Sequence, residues 1–398
     1  MTTYLIYLLV ILFPFGQLTR LPLPFSPSVR IYAHDVIMVI LIGIYLPALL
    51  RKALQTGPQL IKAVGVFTAV AMLSLSLASL RYSLPELFVG SAYLFRWILY
   101  IGLYVVIYAR TSENRKFADS ILPLLAATGV ISALFGLVQY VWYPNLRNLM
   151  YLGWDPHEYR VFGTFFDSGF TGLIYVITAL LLSYFLMTNK QSQRLRWITM
   201  GSLLITACAL ALTYSRASFV ALFFGSMVFS LFLKSIKPVA VTVVFLAAAV
   251  FFLPQPSPTA EGTNLARTTS VQARLSNVEQ SAEIISDYPL FGVGFNMMRY
   301  ENKNRNFVSD YEWEKSNAAA GLDNSFLFVF ATTGIIGLIT YIFMWFKLLT
   351  VQNTYQILIL STVGAIFTHS MFNNSLFYPW IMIWLWVLFG VAHAPRRF

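Results

Sequence analysis

Gly321–Thr340, GLDNSFLFVFATTGIIGLIT, decides how this chain is read. It opens on a carboxylate and an amide, Asp323 and Asn324, and then runs without a charge through an apolar stretch in which Gly334 and Gly337 fall one turn apart. The run continues to Phe346, long enough for a helix that crosses a bilayer, which needs about 20 apolar residues. Ahead of it lies the one long polar segment of the chain, roughly Pro254–Ala320. Two accounts of Asp323 and Asn324 are open. They cap the helix, since both side chains accept hydrogen bonds from unpaired backbone N–H groups. Or they form a polar pair at the mouth of a membrane helix, where a membrane-bound substrate meets an outer loop.

Working outward, composition gives the class. Of 398 residues, 58% are hydrophobic and only 11% charged, with mean hydropathy +0.68; soluble domains carry roughly 25% charged residues. The apolar runs exceed the roughly 10-residue strands of a membrane β-barrel. Spans are expected at about 4–15, 35–50, 60–77, 86–108, 118–142, 168–187, 197–212, 217–233, 238–253, 322–346, 354–369 and 376–393, about twelve transmembrane helices in an all-α polytopic membrane protein. Residues 1–398 form a single membrane domain, and residues 254–321 a large exoplasmic loop between helices 9 and 10. The first run has no basic residue before it and no small-residue cleavage site after it, and is expected to be a retained helix.

The net charge of +11 follows topology, so it points to a lipid bilayer and not to nucleic acid. With the N-terminus in the cytoplasm, inside loops hold Arg51, Lys52, Arg110, Arg115, Lys116, Lys190, Arg194, Arg196, Lys234, Lys237, Lys347, Arg396 and Arg397. The short outside loops hold Arg20, Arg30, Arg81, Arg147, Arg160 and Arg216. This asymmetry predicts cytoplasmic termini and an outer face that carries Asp323. Within the outer loop, Val271, Leu275, Val278, Ala282 and Ile285 share one helical face, so 270–286 reads as an amphipathic helix. Gly292 and Gly294 in DYPLFGVG signal tight backbone geometry.

Three outward arginines carry candidate chemistry: Arg160 in YRVFGTFF, Arg216 in LTYSRASF, and Arg274 on the loop helix. Arginine is costly at the outer membrane edge without an anionic partner, and its planar fork binds phosphate through two parallel hydrogen bonds. Snorkelling or structural ion pairs are the plainer account for any one of them. Arg96, deeper in YLFRWILY, reads as a helix–helix polar contact. The four histidines are scattered, and no HExxH, Cys/His cluster, P-loop or Ser-His-Asp order is present. The lone Cys208 excludes an internal disulfide. Asp167, Asp323 and the loop carboxylates could gather around a cation, but no spacing demands it, and no metal or cofactor is expected.

Four segments in order, RVFGTF, LTYSRA, DYPLFGVG and DNSFL followed by GIIG, resemble the O-antigen ligase-like superfamily of bacterial envelope proteins. The resemblance covers most of the chain and is strongest from Arg160 to Leu338. It implies a GT-C-type membrane glycosyltransferase, inverting and metal-independent, in the bacterial inner membrane with its active site on the periplasmic face. Its donor is an undecaprenyl-pyrophosphate-linked glycan, its acceptor a glycan hydroxyl, and a chain-length regulator protein is admitted as a partner. It implies that Arg216 and Arg274 hold the pyrophosphate, with Arg160 as a third member. Where the ligases carry histidine followed by Asn, Ser or Gln, nine residues and G-x-x-G, this chain has Asp323, Asn324, nine residues, Gly334 and Gly337. Asp323 is accordingly expected to orient or deprotonate the acceptor, and Asn324 to bind substrate. The expected function is that of an O-antigen polymerase, with an O-antigen ligase acting on lipid A-core or another acceptor as the alternative. A lipid-glycan flippase is the rival from another class, but the chain shows no half-repeat and few mid-span charges.

Overall fold

A computed structural model describes residues 2–21, 29–56, 59–188, 192–254, 261–308, 313, 321–351 and 353–395. Among the described residues the regular structure is helical apart from one two-stranded antiparallel sheet, Arg20–Leu21 with Ile31–Tyr32. The α-helices run in chain order as α1 Thr2–Ile11, α2 Ala33–Thr56, α3 Gln59–Ala78, α4 Leu84–Glu113, α5 Lys116–Trp142, α6 Ser168–Thr188, α7 Gln193–Ala211 and α8 Arg216–Leu233. They continue as α9 Lys237–Phe252, α10 Thr269–Asp287, α11 Met298–Asn304, α12 Ser325–Leu348, α13 Gln356–Ser370 and α14 Pro379–His393. Each stretch expected as a span holds a helix. Six of these helices, α3, α4, α5, α6, α8 and α12, are long and apolar enough to cross a membrane, and α1 with the following Phe13–Thr19 turn makes a seventh if that pair, bent by 75°, is one span.

Local chemistry sets the helix ends. The Glu86 carboxylate accepts the Ser83 backbone N–H at 2.8 Å, and Pro85 opens α4 where its missing N–H is harmless. Ser192 and Ser215 cap α7 and α8 through their hydroxyls. Between α7 and α8 the chain turns in four residues, with Tyr214 in the left-handed region at φ 51°. α6 is apolar all round and mostly buried, and α14 is buried from Trp380 to Ala392; both are inner helices. Around them α13 lies along α8, α14 along α4, α12 along α3 and α6 along α7.

Arg96 is the helix–helix contact expected of it. It pairs with Asp35 of α2 in a two-pronged contact, Nη2 to Oδ2 at 2.8 Å and Nε to Oδ1 at 3.2 Å. The Tyr100 hydroxyl and the Tyr32 N–H complete the shell of the Asp35 carboxylate.

α12 is broken at its first glycine. Gly334 sits at φ 68°, ψ −172°, a region essentially confined to glycine. The backbone of 289–294 enters the break: Ile335 N–H donates to Pro289 O at 2.8 Å, Val293 N–H to Ala331 O at 2.9 Å and Gly294 N–H to Thr332 O at 3.1 Å. Ser74 of α3 sits at this junction and donates to the carbonyls of Phe291 and Thr332, each at 2.7 Å. Thus DYPLFGVG and GIIG, far apart in sequence, are one structural unit. So are RVFGTF and LTYSRA, joined by Val161 N–H to Leu212 O at 2.8 Å.

The loop helix is α10, as the periodicity predicts, but its orientation differs from the simple amphipathic expectation. Val271, Leu275 and Val278 are 45%, 58% and 46% exposed, while Ser281 and Ile284 are buried. The inward face is polar because Arg274 and Asn277 reach backbone partners below: Arg274 donates to Phe372 O, and Asn277 accepts the Asp323 N–H at 2.9 Å.

Candidate active site

The site forms where helix ends meet. The starts of α6, α8 and α12 and the turn 371–376 between α13 and α14 are tied together. Ser218 Oγ donates to Gly169 O at 3.1 Å, Leu376 N–H to Ser325 Oγ at 3.1 Å, and Asn324 Nδ2 to Met371 O at 3.4 Å. The α10 helix lies across this end. Its Arg274 donates from Nε to Phe372 O at 3.0 Å and from Nη2 to Asn373 Oδ1 at 3.3 Å.

Arg216 opens α8, and its fork holds the chain that leads into α10. It donates to Leu265 O at 3.2 Å, to Arg267 O at 2.9 Å and to Ser270 Oγ at 2.6 Å. Arg267 reaches Gly262 O at 2.9 Å, and Arg160 reaches the same carbonyl at 3.4 Å. Four guanidinium groups are therefore gathered at one place. Burial first, then the charges of Arg160, Arg216 and Arg274, pull Arg267 down to about 10. Burial likewise lowers Arg274, against the pull of Asp323. Crowded, partly dehydrated cations of this kind are relieved by an anion.

Three carboxylates stand against them. Burial raises Asp155 to about 6; Asp167 and Asp323 add to the rise, while Arg160 opposes it. Burial also raises Asp167, against the Phe170 N–H that Oδ1 accepts at 2.8 Å and the charge of Arg160. Asp323 is raised by burial against Arg274. Asp155 and Asp323 keep an open edge, so each is reachable while protein on its other sides strips water from it.

The helix cap divides the pair that opened the sequence reading. Asn324 alone is the cap of α12, its Oδ1 accepting the N–H groups of Phe326 and Leu327 at 2.8 and 3.1 Å. With Nδ2 on Met371 O, its side chain is engaged on the protein at both ends. The Asp323 side chain is not used in the cap, and the charge of Arg274 acts on it.

The structure brings Arg160, Arg216, Arg274 and Asp323 into one electrostatic neighbourhood and adds members that sequence reasoning missed. Arg267 lies just ahead of α10 in the polar stretch RTTSVQAR, where nothing in the sequence sets it apart. Asp155 and Asn373 sit in short turns with no pattern to mark them. Of the loop carboxylates, Glu283 is taken up by Arg305 at 2.9 Å.

Among the described residues, Asp155, His157 and Asp167 form a group that could hold a metal ion, with candidate ligand atoms within 4.8 Å of one another. Yet Arg160 Nη2 is hydrogen-bonded to His157 Nδ1, and its charge acts on both carboxylates. The guanidinium already supplies positive charge to this group, which disfavours a cation there.

No curated protein matches the chain. Residues 201–342, which include Arg216, Arg267, Arg274 and Asp323, match the family model described as O-Antigen ligase. The match covers the segment that holds most of the candidate site, and it supports the likeness to the O-antigen ligase-like superfamily and an enzyme of O-antigen ligase or polymerase type in general.

Proposed function

We propose that this protein is an inverting, metal-independent glycosyltransferase of GT-C type that polymerises undecaprenyl-pyrophosphate-linked repeat units at the outer face of the bacterial cytoplasmic membrane. Both termini lie in the cytoplasm, and residues 254–321 lie outside as a loop of the single membrane domain. The observation that carries the reading is the gathering of Arg160, Arg216, Arg267 and Arg274 opposite Asp155, Asp167 and Asp323.

The chemistry needs both halves. An acceptor hydroxyl oxygen attacks the anomeric carbon of the lipid-linked sugar from the face opposite the pyrophosphate. The new glycosidic C–O bond forms as the bond to the pyrophosphate oxygen breaks, which inverts the centre. Undecaprenyl pyrophosphate leaves with the bonding pair, and the arginines stabilise the charge that grows on it, as a metal would elsewhere. The hydroxyl proton passes to a carboxylate. Asp323, beside Arg274 and raised by burial, is assigned that task, and raised basicity suits it to work nearer neutral pH. Asn324 fixes the start of α12 and thereby the backbone of Asp323. Arg216 orients the chain that presents Arg267 and Arg274, besides adding its own charge.

The family description favours ligase as the second reading, with transfer of the assembled glycan to lipid A-core or another acceptor. Asp323 in the place of the ligases' histidine favours polymerisation. Purified protein given lipid-linked oligosaccharide alone decides. A ladder of longer chains supports polymerase. Transfer only after lipid A-core or another acceptor is added supports ligase. Transbilayer movement without either overturns both.

A further inference from the structure

Beside the charged cluster lies a cavity of about 210 Å³ whose wall the phosphate chemistry does not use. Trp154, Phe166, Phe170 and Tyr378 line it, together with the carboxylates of Asp155 and Asp167. The aromatic wall is fixed in place: Phe170 and Tyr378 stack with centroids 3.9 Å apart and planes at 4°, and Trp154 meets Phe166 edge-on at 5.3 Å. The cavity is smaller than the roughly 300–1,000 Å³ of drug-sized sites, so it suits one ring and not a chain or a lipid tail.

The wall selects the ligand. The carboxylates of Asp155 and Asp167 are balanced by Arg30 and Arg96 in the same wall, so the space favours an uncharged ligand whose hydroxyls donate to the carboxylates. Aromatic faces are electron-rich and attract the weakly positive C–H face of a saturated ring. Hydroxyls for the carboxylates and a C–H face for the aromatics describe a neutral pyranose. A bare cation is disfavoured, because Arg30 and Arg96 also line the space. We propose that this cavity is a sugar-ring subsite, in which Asp155 and Asp167 accept hydroxyl hydrogen bonds and the aromatic wall carries the ring. The assignment rests on the glycosyl-transfer reading. Through Asp155 and Asp167 the subsite adjoins Arg160, Arg274 and Asp323, so a ring held there is next to the reacting carbon. The ring comes from either the accepting or the transferred glycan.

The test reads binding apart from catalysis. Purified protein is titrated with methyl glycosides of glucose, galactose, mannose, rhamnose and N-acetylglucosamine, followed by saturation-transfer NMR. At least one glycoside is expected to bind saturably. Binding should weaken about tenfold or more in Asp155→Asn, which loses a charge-assisted hydrogen bond, and in Phe170→Ala, and stay unchanged in Asp119→Asn at the far end of α5. In the transfer assay, a Phe170→Ala rise in acceptor KM alone assigns the accepting ring, and a rise in donor KM alone the transferred one. Absence of saturable binding by every glycoside, or binding that survives both substitutions, overturns the subsite whatever the transfer assay gives. Glycoside binding in a protein that transfers nothing sinks the transfer reading and leaves the subsite standing.

Discussion

Gly334→Ala tests whether the junction between the outer segment and α12 is what holds the site. A Cβ placed on Gly334 falls 2.1 Å from the Leu290 carbonyl oxygen, 2.2 Å from its carbon and 2.4 Å from the Phe291 nitrogen. All three are backbone atoms, so no rotamer change relieves the overlap. The φ of 68° with ψ −172° adds the strain of a glycine-only region, about 1–3 kcal/mol, and forced overpacking adds about 1–3 kcal/mol. The expected loss is therefore about 2–6 kcal/mol, unless 289–294 withdraws from the break. Withdrawal would release the backbone bonds to Ala331 and Thr332 and, with them, the position of α10. The assay is a thermal melt of detergent-purified protein at a fixed scan rate, run beside glycan transfer. Gly201→Ala is the control: nothing lies within 4 Å of its added Cβ, and removing a helical glycine should stabilise by about 0.5–1 kcal/mol. Gly334→Ala should melt several degrees below the parent and lose most transfer. A Gly334→Ala protein with the parent's melting temperature and activity refutes the reasoning.

Further expectations concern the charges. Arg267→Ala and Arg274→Ala should each abolish transfer at normal protein levels, and lysine should rescue poorly because it lacks the two-pronged fork; parental turnover in either alanine variant removes that residue from the clamp. Transfer should fall as pH drops through about 6, since Asp155 is raised to about 6 and Asp323 is also raised and both act ionised. In the same window thermal stability should hold or rise, because the folded state binds these protons more tightly than the unfolded chain, whose carboxylates titrate near 3.9; a parallel fall of stability and transfer contradicts this. Transfer should persist in EDTA, and a complete loss restored by Mg²⁺ would hand Asp155, His157 and Asp167 to a metal. Arg96→Ala should destabilise by about 3–5 kcal/mol by leaving the Asp35 carboxylate buried and unpaired, which a melt of the double variant Arg96→Ala with Asp35→Asn checks by partial recovery.

The helices were legible because hydrophobic run length and capping residues act locally. Ser83 with Glu86, Ser192, Ser215 and Asn324 each mark a helix start within four residues of sequence. The junctions were not, since they are backbone pairings between distant segments. Nothing in GIIG says that its first glycine breaks the helix to receive Pro289–Gly294, because that φ and ψ serve a partner more than thirty residues away. The orientation of α10 was misleading for a related reason. A hydrophobic stripe is read as the buried face, but Arg274 and Asn277 make hydrogen bonds to Phe372 and to the Asp323 backbone that fix the opposite face inward.

The same logic explains why three arginines were found and the fourth was not. Arg160 and Arg216 stood out because each borders an apolar stretch where a cation is costly, and Arg274 because it flanks the apolar face of the expected loop helix. Arg267 lies in a polar segment where a cation is ordinary, and it acquires meaning only through the fork of Arg216, which holds its carbonyl at 2.9 Å. Arg216 thus couples the start of α8 to the loop that carries two more of the guanidinium groups. Loss of that fork in either Arg216→Ala or Arg216→Lys lets Arg267 and Arg274 drift, and alanine also removes one charge, so Arg216→Lys should fall well below the parent and Arg216→Ala lower still. Lysine keeps the charge but cannot span the carbonyls of Leu265 and Arg267 and the Ser270 hydroxyl together. If Arg216→Lys and Arg216→Ala instead transfer at the same reduced rate, the charge adds nothing and Arg216 acts through the geometry of its fork alone.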